Sequence, residues 1–108
     1  MIKKAIFVLA LASVFSAAHA AKGNPVAGKE KSAAICASCH GPDGNSPTAD
    51  FPKLAGQNAD YLEAALHQYK AGKRKNPIMA GFAANLSDQD MADLSAYFAS
   101  QQGLTIKY

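Results

Sequence analysis

Hydrophobic positions fall along this chain in three arrangements. Near the start, Ala5 to Ala18 runs without a charged residue and is rich in Ala, Leu, Val and Phe. Further on, Tyr61, Leu62, Ala65, Leu66 and Tyr69 recur at the i, i+3, i+4 spacing that places side chains on one face of a helix. Towards the end, Leu94, Tyr97 and Phe98 continue an apolar face begun by Leu86 and Met91. No run shows the β-branched alternation of a half-buried strand. The pattern predicts an all-α fold.

Local signals bound the helices. Asn24-Pro25 starts a first helix running toward Cys36, because Asn caps and Pro suits the first turn. The turn formers Gly41-Pro42-Asp43-Gly44-Asn45 then release the chain as a loop. A second helix is expected over 58–71, ended by Gly72. The last begins at Ser87, with Asp90 three residues on in place of the usual Glu of a capping box. Leu86 and Met91 take the two positions of a hydrophobic staple, and Gly103 stands where a C-terminal cap is expected. Ser87 also completes the glycosylation sequon Asn85-Leu86-Ser87, but behind a bacterial-looking leader it reads as the cap.

The first apolar run is set apart from the rest. Lys3 and Lys4 precede it, and Ala18-His19-Ala20 offers the small-x-small pattern of signal peptidase, so residues 1–20 read as a secretory leader cut after Ala20. The run is shorter than the ~20 residues of a membrane span, which argues against a retained anchor. Cleavage leaves 88 of the 108 residues as one domain, 21–108. Removing Lys3 and Lys4 from the 11 basic residues leaves 9 against 8 acidic ones. A nearly neutral chain excludes the basic footprint of a nucleic-acid binder. The leader implies a periplasmic destination and, once it is removed, no stable membrane insertion. At this size a side-chain core alone is marginal, so a cofactor or crosslink is expected to help.

Both cysteines lie in Cys36-Ala37-Ser38-Cys39-His40, a C-x-x-C-H sequence. This is the attachment signature for a covalent haem c. Two thiols three positions apart on a helical turn lie on one side, where both reach the vinyl groups of one porphyrin. The next residue, His40, then supplies an imidazole to the iron. Three other readings are weaker. A thioredoxin-like pair needs a βαβ context. A structural zinc site needs about four ligands, and beyond the motif the cleaved chain offers only His67. A plain disulfide would leave His40 unexplained.

From Gly28 to Tyr97 the chain resembles a class I c-type cytochrome of the small, single-haem bacterial periplasmic kind. The resemblance rests on Gly28, the Cys36–Gly41 motif, Phe51-Pro52-Lys53-Leu54-Ala55-Gly56-Gln57, Tyr61-Leu62, Gly72-Lys73-Arg74, Met79, Leu86-Ser87-Asp88 and Leu94-Ser95-Ala96-Tyr97, in that order. These flanking matches also resemble one half of the two-haem bacterial cytochromes, but this chain carries one attachment motif. The resemblance implies a cytochrome c-like fold, three main helices around one haem, with the first and last crossing at Gly28 and Tyr97.

The second axial ligand decides between electron transfer and ligand binding. The residues leave Met79, Met91 and His67 as candidates once the leader is removed. Met91 has a sufficient role in the staple, and His67 points to the polar side of its helix. Met79 lies in Asn76-Pro77-Ile78-Met79-Ala80-Gly81, expected as an irregular loop between helices. The family places its methionine ligand there. It also gives a proline carbonyl the task of accepting from the ligating histidine, a position matched by Pro52, which would stiffen its loop in any case. Phe51, Tyr61, Tyr69 and Phe82 are candidate haem walls.

A His/Met-ligated haem is a one-electron carrier with a raised reduction potential, because a neutral thioether favours Fe(II). The resemblance implies redox partners: a membrane quinol-oxidising complex on one side and a terminal oxidase or reductase on the other. The chain is then not an enzyme. A labile distal site would instead make it a gas sensor or a peroxide-reducing enzyme, and a retained leader would fit a haem subunit of a larger complex. Lys70, Lys73, Arg74 and Lys75 form a basic cluster that reads first as a solvated helix end. A docking patch for an acidic partner is the alternative, and Arg74 is also placed to pair with a haem propionate.

Overall fold

The computed structural model describes residues 22–103, all of whose regular elements are helices. The expected leader lies outside them. Three longer helices, α1 (Pro25–Ile35), α3 (Ala59–Lys70) and α5 (Asp88–Ala99), match the three predicted. Two short ones, α2 (Ala37–His40) and α4 (Pro77–Ala83), are added. Among the described residues no helix is long and apolar enough to cross a membrane.

The caps explain the boundaries. The Asn24 side chain accepts from the N–H groups of Val26 and Ala27, and Asn58 does the same for Asp60 and Tyr61. Ser87 accepts from Asp90 while the Asp90 carboxylate accepts from the Ser87 N–H, so the capping box closes with aspartate. Leu86 and Met91 are both buried beneath it, as a staple requires. Gly103 is not a cap, since α5 closes on Ser100. It lies instead where a Cβ would come within 2.6 Å of the Ala55 Cβ, and its neighbour Gln102 accepts from the Asn45 side chain.

Helix α5 is the centre of the fold, packing on both α1 and α3. At the α1 crossing a Cβ on Gly28 would lie 2.0 Å from the Asp93 carbonyl oxygen and 2.9 Å from the Tyr97 Cβ. Only glycine lets the two backbones approach so closely. The Asn24 N–H donates to Asp93 Oδ1 at 2.8 Å, and Lys31 pairs with Asp90 at 3.6 Å. Leu62, Leu86, Met91, Leu94, Tyr97 and Phe98 form the buried apolar cluster. Each fully buried large side chain among them contributes roughly 1.5–3 kcal/mol.

Loop 41–58 is tied down at several points. Tyr97 donates its hydroxyl to the Pro42 carbonyl at 2.7 Å, Leu54 N–H donates to the Gly44 carbonyl at 2.8 Å, and Gly56 N–H to Phe98 at 2.9 Å. These bonds anchor both flanks of Phe51-Pro52-Lys53.

Candidate haem site

Helix α2 is a single turn following α1, and it carries the attachment motif. The Cys39 and His40 N–H groups both reach the Cys36 carbonyl, at 3.2 and 3.0 Å. Cys36 and Cys39 therefore stand on one turn, and both are free thiols. Burial pushes the Cys36 thiol up to about 11. That disfavours a thiolate at neutral pH.

His40 is buried. Its Nδ1 lies 2.9 Å from the Pro52 carbonyl oxygen. A carbonyl can only accept, so the proton of the neutral ring belongs on Nδ1 and the lone pair on Nε2. An imidazole held this way is ready to ligate a metal through Nε2. Phe51 packs edge-on to the ring, with centroids 6.2 Å apart.

These groups open on one cavity of about 380 Å3, which Met79 also lines. Its walls include Leu54, Leu62, Leu66, Leu94 and Phe98, together with the four aromatics expected there, Phe51, Tyr61, Tyr69 and Phe82. Neither rival ligand borders it. Met91 is fully buried in the core, and His67 lies on the surface, 3.9 Å from Glu63 and 3.8 Å from Asp88. Met79 does not sit in an irregular loop. It is the third residue of α4, where the Asn76 side chain accepts from the Met79 N–H at 3.1 Å. Asn76-Pro77 repeats the cap-and-proline start of Asn24-Pro25, a signal that would have revealed this helix.

The basic cluster divides in the same way. Lys70 donates its Nζ to the Leu86 carbonyl at 2.5 Å, joining the end of α3 to the turn before α5. Arg74 borders the cavity and donates to the Tyr61 hydroxyl at 2.9 Å. The hydroxyls of Tyr61 and then Tyr69 hold the guanidinium above its ordinary range. Lys73 and Lys75 are exposed.

The donor set fits a haem c: two free thiols on one turn, an imidazole with its Nε2 lone pair available, a thioether, and a largely apolar and aromatic enclosure. Comparison with known proteins agrees. Residues 25–102 match the cytochrome c family. The chain belongs to this family. Among cytochromes c similar to it, cytochrome c4 of Pseudomonas aeruginosa is 58% identical over 85 residues, covering 79% of this chain and 41% of the relative. Cytochrome c-554(548) of Halomonas halodenitrificans is 41% identical over 83 residues, 74% of this chain and 99% of the relative. The crystal structure of reduced recombinant cytochrome c4 from Pseudomonas stutzeri superposes with a TM-score of 0.71 at 47% identity, covering 76% of this chain and 47% of that one. The chain spans about half the length of the cytochrome c4 relatives it matches.

Proposed function

We propose that this cytochrome c is a periplasmic carrier of single electrons. Cys36 and Cys39 anchor one haem c, and His40 and Met79 ligate its iron. The observation that carries the reading is the 2.9 Å contact of His40 Nδ1 with the Pro52 carbonyl, in a cavity that Met79 also lines. Bound haem supplies one-electron exchange at iron.

The protein's own groups do the rest. The free thiols of Cys36 and Cys39 would hold the haem through two thioether bonds. Pro52 keeps the proton on His40 Nδ1 and thereby orients the ring. The apolar walls keep water from the iron. With His40 and Met79 both holding the iron, the chain would serve as a carrier rather than an enzyme. Its partners are redox proteins, a membrane quinol-oxidising complex as donor and a terminal oxidase or reductase as acceptor. Residues 1–20 direct export and are removed, leaving 21–108 as the haem-bearing domain.

The test is the optical spectrum of the exported protein, oxidised and dithionite-reduced, with and without carbon monoxide. A low-spin reduced spectrum indifferent to carbon monoxide, with a methionine–iron charge-transfer band when oxidised, is expected. A high-spin or carbon monoxide-sensitive spectrum would replace the carrier with a gas-binding or peroxide-reducing protein.

A further inference from the structure

Met79 reaches the cavity from the least supported helix of the fold. Helix α4 has seven residues, begins with Pro77 and carries Gly81 in its interior. A helix this short does not hold itself in water, and an internal glycine weakens it further. It packs chiefly on α3. Toward α1 it faces an open groove of about 510 Å3, bordered by Lys31 and Ile35 on one side and by Ile78, Gly81 and Phe82 on the other. A Cβ on Gly81 would meet nothing within 4 Å, and Ile78 and Phe82 stay 63% and 43% exposed. Ala83 is the only buried residue of this helix.

Side-chain hydrogen bonds fix α4 at both ends. At the entry, Asn76 Oδ1 accepts from the N–H groups of Ile78 and Met79 at 3.2 and 3.1 Å, so the cap holds the backbone of Met79 itself. At the exit, Lys70 Nζ donates to the Leu86 carbonyl at 2.5 Å. The Leu86 N–H in turn donates at 3.1 Å to the carbonyl of Ala83, the last residue of α4. Lys70 therefore ties the end of α3 to the turn that leaves α4.

We propose that Asn76 and Lys70 are positioning residues for Met79: together they clamp α4 against α3 and set how often the thioether leaves the iron. This rests on Met79 as the ligand read above. Helix α4 can swing away by giving up its α3 contacts and these end bonds, while the α1–α5 crossing and the buried apolar cluster stay formed. Such a local opening has its own free energy, below that of global unfolding. A competing ligand binds only the open fraction, so its apparent affinity rises in proportion to that fraction. A lost end bond therefore shows first as tighter binding of an outside ligand.

The ferric holoprotein titrated with imidazole, followed by the methionine–iron charge-transfer band, tests this. Asn76→Ala is expected to tighten imidazole binding roughly fivefold, the worth of one cap. Lys70→Met, which keeps the apolar stem and removes the donor, is expected to tighten it by a similar factor or more. Asn76→Ser still caps and Lys70→Arg still donates, so both are expected to return most of the wild-type affinity. Asn24→Ala, which removes the side-chain cap of α1, should lower the urea midpoint and leave imidazole affinity unchanged. Asn76 and Lys70 hold opposite ends of α4, so either variant carries the test if the other does not accumulate. Wild-type imidazole affinity in Asn76→Ala or in Lys70→Met overturns the clamp, whatever the urea midpoint. An equal tightening in Asn24→Ala overturns it too, because general destabilisation would then explain the effect. A wild-type holoprotein without the charge-transfer band overturns the methionine assignment instead.

Discussion

Tyr97 donates its hydroxyl proton to the Pro42 carbonyl at 2.7 Å, bonding the last helix to the loop that leaves the attachment motif. One turn earlier on the same helix, Asp93 presents its carbonyl to Gly28 of the first helix. Helix α5 thus joins the two segments that flank Cys36, Cys39 and His40. Tyr97→Phe should cost about 1 kcal/mol, the usual net worth of one hydrogen bond, read as a lower urea midpoint at unchanged slope. Gly28→Ala should cost more, roughly 1–3 kcal/mol or beyond, because the added methyl meets backbone rather than a movable side chain.

The methionines should separate cleanly. Met79→Ala is expected to open the iron to carbon monoxide and abolish the charge-transfer band. Met91→Ala should leave the spectrum alone and lower stability by roughly 2–5 kcal/mol, since Met91 is fully buried in the core. The opposite pattern would exchange their roles.

The capping box gives a pH dependence. The Ser87 N–H, and behind it Lys31, hold the Asp90 carboxyl below its ordinary range. A folded-state pKa lower than the unfolded one means the stabilisation is present above the unfolded value and is lost as pH falls through the folded one. Asp90→Asn should therefore destabilise at neutral pH, by about 0.3–1 kcal/mol, the worth of a carboxylate charge in a helix's first turn, and matter progressively less in acid. Urea midpoints of both proteins at pH ~7 and in acid check it.

Export makes its own prediction. N-terminal sequencing of the haem-bearing periplasmic protein should begin at Ala21. A sequence starting at Met1 in the membrane fraction would mean a retained anchor.

Much of this was legible in the chain because short-range chemistry decides it. Asn24, Asn58 and Ser87 cap within three residues of themselves, and the Leu86–Met91 staple is a local spacing. The Cys36–His40 motif is a complete signal in five residues. What escaped depends on contacts across the fold. Pro77 and Gly81 make the stretch around Met79 read as an irregular loop, yet Pro77 serves as the first residue of a seven-residue helix that Asn76 caps. Gly103 resembled a helix terminator, but its position follows from close approach to Ala55, which no local pattern encodes. Lys70 and Arg74 read as a solvated basic cluster, and only the return of the chain onto α3 and α5 gives each a separate partner.

The bond between Asn24 and Asp93 spans 69 positions, and the α1–α5 crossing it belongs to is correspondingly remote in sequence. A chain threaded outward from its N-terminus delivers Cys36, Cys39 and His40 long before Asp93 and Tyr97 arrive to cover Gly28. Closing so long a loop is slow compared with forming a helix. The crossing that covers Gly28 therefore forms only once the chain through Tyr97 is available, later than the local turn that carries Cys36, Cys39 and His40.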